Sequence, residues 1–293
     1  TPERDTSVSR GEKMRLECTK MQGCCNDCSF LDNRDGGITG RESRAINFVD
    51  RQYGIGGGGI VRSERCDVAD AKMRIFNQDG SEGGMAGNSI RCVAKYLYEN
   101  GFVRDKHLTI ETRSGLRDLP LYPSGGKVGS VSVDMGKAIL SGKDIPSTLE
   151  GDSVVGRKIE VGGKEYTVTL VNVGNPHCVV FCDKVDAVDL ENVGPLFEYA
   201  PYFPQRINVE FVRGVNDTTL KMRVWERGNG ETLACGTGAT ASVVAAVLNG
   251  YCKAGEDITV KLRGGDLIVR SDEGGDATLT GAVRRVYEGT VQF

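Results

Sequence analysis

Alternation of apolar and polar residues over 72–76 and 106–112 predicts strands half-buried against a core. Shorter stretches at 16–21, 29–31, 130–135, 160–162, 166–173, 178–181, 208–212 and 220–225 continue the theme, and four more follow at 258–262, 267–270, 277–280 and 284–287. Turns are expected at 23–27, at Gly174-Asn175-Pro176-His177 and at Asn216-Asp217, with a glycine run over 54–59. Two longer stretches, 90–99 and 239–248, break the period of two, and each is followed by Asn-Gly, a good stop for a helix. Shorter helices are expected at 44–51 and 190–197. The run Val243-Val244-Ala245-Ala246-Val247-Leu248 is apolar on nearly every side, so that helix is expected to be enclosed by strands. The earlier helix has more polar edges. The pattern is that of an α+β chain with one long apolar helix in each half. Residues 1–13 carry almost no apolar side chains and are expected to form a disordered leader.

The two halves are related. Shifting the chain by 149 residues lays Lys72-Met73-Arg74-Ile75-Phe76-Asn77 on Lys221-Met222-Arg223-Val224-Trp225-Glu226. Without a gap, Met85-Ala86-Gly87-Asn88-Ser89 then falls on Ala234-Cys235-Gly236-Thr237-Gly238, and both segments lead into helices that stop on Asn-Gly. Two pseudo-symmetric domains follow, one over 14–130 and one over 131–281, with 123–129 as the passage between them. Facing domains would bring two helix N-termini to one cleft, where free N–H groups and the helix dipole favour an anion. The second tip carries the thiol of Cys235 and the first carries the methyl of Ala86. A cysteine at a helix start is expected to ionise more easily than a free one.

Composition narrows the function classes. Charged residues make up 26% of the chain and the net charge is -3, with basic and acidic residues interspersed, so a nucleic-acid footprint is not expected. No apolar run approaches membrane-spanning length and no signal-peptide pattern appears, which points to the cytoplasm. The ten cysteines lack the spacing of a disulfide framework. The cluster Cys24-Cys25-Cys28 invites a zinc reading, but with only His107 and His177 to add to it no metal site is expected.

Six stretches carry a resemblance. They are Lys20-Met21-Gln22-Gly23 with Asn26-Asp27, Asp50-Arg51-Gln52-Tyr53-Gly54-Ile55-Gly56, Asn77-Gln78-Asp79-Gly80-Ser81-Glu82, Gly174-Asn175-Pro176-His177, Asn208-Val209-Glu210-Phe211-Val212, and Glu226-Arg227 through Ala234-Cys235-Gly236-Thr237-Gly238-Ala239. In this order they resemble diaminopimelate epimerase along essentially the whole chain after Met14. The resemblance implies two pseudo-symmetric domains, each a strand set around a central helix, with 282–293 returning to the first. It implies a cofactor-free enzyme of the lysine and peptidoglycan pathways that interconverts LL- and meso-diaminopimelate with two cysteines, one thiolate base and one thiol acid. A small amino acid is the expected partner, and a homodimer is the default assembly.

Carried over by motif, Cys235 is one of the two thiols, and Gly236, Thr237, Gly87 and Asn88 supply donors for the α-carboxylate. Glu226 and Asn77 would hold the α-ammonium region, while Arg227, Asn175 and Asn208 would hold the distal carboxylate and amine. Asn26 would line the cleft and His177 would support the first thiol. The departures matter equally. Ala86 stands where that family has its first catalytic cysteine, and a methyl neither gives nor takes a proton. Ser89 and Cys25 replace glycines, Cys28 replaces an aromatic, and Gly57-Gly58-Gly59 lacks an acid often found there. Cys92 lies within the helix and does not stand in for the lost thiol. An epimerase that is inactive or impaired is the favoured reading. The alternatives are a relative acting as racemase, dehydratase or single-face exchange enzyme on another amino acid, and a non-catalytic amino-acid-binding protein.

Overall fold

Strands pair in the same order twice along the chain. The computed structural model describes residues 15–38, 48–77, 80–83 and 86–292. The expected leader and positions 44–47 of the expected 44–51 helix lie outside these, while Phe48 and Val49 are helical. In the first half, Arg15–Gly23 lies antiparallel to Asn26–Asp32, which runs parallel to Gly59–Glu64. The last of these pairs antiparallel with Ala71–Asn77, which runs parallel to His107–Thr112. In the second half, Lys164–Asn172, Pro176–Phe181, Asn208–Asn216, Thr219–Glu226 and Asp257–Leu262 repeat that succession. Each half adds a short strand, Glu82–Gly83 or Gly230–Thr232, just ahead of its long helix.

Two pairings tie the halves together. Lys127–Lys137 lies between Gly115–Ser124 and Asp276–Ala282, and the last strand, Arg284–Gln292, runs antiparallel along Arg15–Gly23. Besides the helical Phe48 and Val49 and a 3-10 turn at Val185–Ala187, the described residues include α1 (Gly87–Glu99), the short α2 (Leu190–Glu198) and α3 (Gly236–Leu248). Strands surround each long helix, α1 packing most against the bridging strand Lys127–Lys137, and the result is a two-domain α+β fold that is mostly sheet.

The enclosure expected of α3 holds over most of its length: every residue from Gly238 through Ala246 is buried, while Val247 is half-buried and Leu248 exposed. Its small side chains let the sheet approach closely. Helix α1 is buried almost as fully, polar residues included. Lys95 Nζ bonds Glu99 Oε1 at 2.5 Å and the Val128 carbonyl at 2.8 Å, which offsets the cost of taking a charge out of water. Both helices begin three residues before the expected starts, because Gly87-Asn88-Ser89 and Gly236-Thr237-Gly238 have little helix propensity of their own.

Besides the two short strands ahead of the long helices, two longer strands were not expected. Gly59–Glu64 is hidden behind the glycine run, and Gly115–Ser124 holds Pro120 and Pro123, which argue against a strand. The expected passage at 123–129 forms the tip of a long hairpin, turning at Gly125 and Gly126 with φ of 58° and 77°.

A second such hairpin explains one of the departures. Cys24 and Cys25 link Arg15–Gly23 to Asn26–Asp32 with φ of 52° and 61°, a conformation that costs an L side chain roughly 1–2 kcal/mol. Cys25 is exposed, so glycine there loses no packing. Cys25→Gly is expected to raise stability by about 1 kcal/mol, read as a higher urea midpoint under reducing conditions. An unchanged midpoint would contradict the turn geometry. The neighbouring Cys28 is buried against Cys92 and Ser89. Among the described residues no group of three or more His, Cys, Asp or Glu side chains is placed to hold a metal ion.

Candidate active site

The residue preceding each long helix has almost the same backbone conformation. Ala86 has φ −133° and ψ 118°, and Cys235 has φ −131° and ψ 114°. Each therefore caps its helix from an extended segment, as N-cap residues do. The Cys235 sulfur accepts the Gly238 N–H at 3.3 Å, whereas α1 has no side-chain cap. The two tips also meet one side chain. A methyl added at Gly87 would come 3.4 Å from Leu279 Cδ2, and one added at Gly236 would come 3.1 Å from the same atom. Leu279 is fully buried on Asp276–Ala282, so a single methyl group spaces the starts of both helices.

At the second tip the thiol lies beside two carboxylates. Cys235 is hydrogen-bonded to Glu226, and its sulfur is 3.4 Å from the Thr237 hydroxyl. Burial pushes the thiol well above the ordinary cysteine range, and the nearby charges of Glu226 and Glu210 push it further. The Thr237 hydroxyl and Gly238 N–H pull the other way and are outweighed. This corrects the expectation of an easily ionised cysteine: the helix start is present, but desolvation and two acids overcome it. Glu226 is itself raised, first by burial, against the Thr232 hydroxyl bonded to its Oε1.

A buried chain of polar groups continues from there. Glu210 Oε1 lies 2.7 Å from His177 Nδ1, and His177 Nε2 lies 2.9 Å from Asn175 Oδ1. His177 and Glu210 occupy the adjacent parallel strands Pro176–Phe181 and Asn208–Asn216. The imidazole expected to support the first thiol thus lies between Asn175 and Glu210. Asn208 serves the backbone: its Nδ2 bonds the Pro176 carbonyl at 2.7 Å and its Oδ1 accepts the Arg227 N–H at 2.9 Å. It therefore fixes where Arg227 leaves its strand, and the Arg227 guanidinium reaches the Gln205 carbonyl at 3.0 Å.

At the first tip the buried charge is a cation. Arg91 is fully buried and donates to the Gly87 carbonyl at 2.9 Å and to Asn88 Oδ1 at 2.8 Å. Asn77 is exposed at the end of Ala71–Asn77, with its Nδ2 3.0 Å from the Ser81 hydroxyl. Asn26 is also exposed, opening the strand after the Cys24-Cys25 turn. Of the stretches matched in the sequence, Gln78, Asp79 and Met85 lie outside the described residues.

Two buried charges, Arg91 and Glu210, were missed in the sequence as site components. The available signal was an acid between Val209 and Phe211, and a base within an otherwise enclosed helix.

Over residues 18–141 and 169–286 the sequence matches the family described as diaminopimelate epimerase. The diaminopimelate epimerase of Desulfitobacterium hafniense is 44% identical over 279 residues, covering 94% of this chain and 98% of the relative. That of Acetivibrio thermocellus is 45% identical over 279 residues, covering 95% and 99%. Among solved structures, a hydroxyproline epimerase from Agrobacterium vitis superposes with a TM-score of 0.70 over 95% of this chain and 93% of that one. At 16% identity that likeness is one of fold. With its family matched across both halves and its relatives covered almost end to end, the chain belongs to the diaminopimelate epimerase family.

Proposed function

We propose that this chain carries the site of a diaminopimelate epimerase from which one of the two acid/base thiols is missing. The observation that carries the reading is the matched pair of helix caps, Cys235 at one and Ala86 at the other, within a chain of this family. Abstraction of an α-proton loads negative charge onto the α-carboxylate. Two convergent helix starts, with the N–H groups of Gly87, Asn88, Gly236 and Thr237, would stabilise that charge without reorganising. Glu226 and Asn77 would hold the α-ammonium, and Arg227 and Asn175 the distal end, with Asn208 fixing Arg227.

The protons can be followed. Cys235 rests as a neutral thiol in contact with Glu226. Transfer of Sγ–H to the Glu226 carboxylate yields the thiolate, which takes Cα–H and leaves a carbanion. In an epimerase the next proton arrives from a second thiol on the opposite face, and the centre inverts. Here that face presents the Ala86 methyl. Once the Cys235 Sγ–H has traded its hydrogen for one from solvent by way of the Glu226 carboxyl, Cys235 returns it to the carbanion, so a hydrogen is exchanged and the configuration is kept.

The test is incubation of this protein with LL- and meso-diaminopimelate in heavy water. Slow deuterium entry at one α-centre without change of configuration is expected. Rapid interconversion of the two isomers by the unaltered chain would overturn the reading.

A further inference from the structure

Glu210 has no role in that proton path, yet it is the most enclosed acid near the site. Its side chain has no exposed surface, and neither does that of His177. Oε1 bonds His177, and Oε2 has no hydrogen-bond partner. A methyl added at Gly238 would come 2.7 Å from Oε1, so the carboxylate lies directly against the first turn of α3, where the helix dipole favours negative charge. The other ionisable groups around the pair are Glu226, Cys235 and Cys178. A buried carboxylate with one orphaned oxygen is costly. An apolar side chain would serve the strand better, as Val209 and Phe211 do on either side.

The geometry of the ring supplies a reason for the acid. His177 faces an oxygen at each nitrogen, Glu210 at Nδ1 and Asn175 Oδ1 at Nε2. Two acceptors call for two N–H donors. We propose that Glu210 is a positioning residue: as counter-ion to a doubly protonated His177, it locks the carbonyl oxygen of Asn175 onto the ring. The amide N–H end of Asn175 is then the end left for a ligand. The site reads an acceptor at that point, a carboxylate, and disfavours an ammonium. The choice of diaminopimelate as ligand rests on the function proposed above, while the ring protons do not.

The chain has only two histidines, so nitrogen-15 labelling of histidine reports His177 directly, with the exposed His107 as internal reference. At neutral pH the unaltered protein is expected to show His177 with both ring N–H protons, protected from exchange. In Glu210→Gln one of the two is expected to be lost while the His107 signals stay in place. Calorimetry should then show diaminopimelate binding to Glu210→Gln about tenfold more weakly. An analogue with its distal carboxylate converted to carboxamide should lose far less. A neutral His177 ring in the unaltered protein overturns the proposal, as does a Glu210→Gln protein that binds diaminopimelate unchanged. Should the unaltered protein fail to bind diaminopimelate, the functional reading falls, and the ring protons still decide the role of Glu210.

Discussion

Ala86→Cys is expected to convert slow one-sided exchange into inversion, with a gain of roughly 10²–10⁴ in the rate of interconversion, the usual worth of a positioned acid or base. The backbone is already prepared, since φ and ψ at position 86 are within a few degrees of those at Cys235. The new thiol would also meet a different field. Arg91 lies buried beneath the first tip, bonded to the Gly87 carbonyl and Asn88 Oδ1, whereas Glu226 and Glu210 surround Cys235. A cation and a helix start favour thiolate at position 86, and two carboxylates favour thiol at position 235. One base and one acid are what inversion needs in its resting enzyme. The check is a circular dichroism or coupled assay of LL-to-meso conversion under reducing conditions, beside the exchange measurement in heavy water. A folded Ala86→Cys protein that inverts neither isomer would mean that the pocket serves another substrate.

The second large effect concerns stability at alkaline pH. Burial raises Cys18 and Cys252 from 9.0 to about 11, and it raises Cys178 and Cys235 well above their ordinary range. A raised thiol means that the folded state holds its proton longer than the unfolded state does. The stabilisation is therefore complete below pH ~9 and is lost as pH climbs towards 11. At pH ~10.5 the deficit is about 2 kcal/mol for each of Cys18 and Cys252. Their sum is a large part of the ~5–15 kcal/mol that holds a protein together. Urea midpoints under reducing conditions should fall steeply between neutral pH and pH ~10.5. The double substitution Cys18→Ala with Cys252→Ala should flatten that slope. A midpoint equally high at both pH values would contradict burial of the thiols.

Much of the architecture was legible because it is written twice. The gapless match of Lys72 through Ser89 with Lys221 through Gly238, closed by Asn100-Gly101 and Asn249-Gly250, already held two strand–loop–helix units, and α3 announced its enclosure through Val243 to Leu248. What was lost lay where local signals oppose tertiary ones. Gly59–Glu64 follows six residues dominated by glycine, and Gly115–Ser124 carries two prolines, so context rather than propensity makes them strands. The site divides similarly. The loop from Glu226 to Gly238 is contiguous and could be read directly. The state of the Cys235 thiol depends on Glu210, which reaches it from another strand, and no local rule about helix starts reveals that acid.

The pairing of Arg284–Gln292 with Arg15–Gly23 sets an order in time as well as in space. During synthesis the first half emerges early, but the strand that closes its edge is made only after the second half. Until then Arg15–Gly23 has one flank unpaired, a row of free N–H and C=O groups open to the wrong neighbour. The later half has all of its own strands, through Asp276–Ala282, before that closing strand appears. Maturation of the sheet thus runs backwards along the chain: the half translated second has its strands first, and Arg15–Gly23 gains its second neighbour only when Arg284–Gln292 docks.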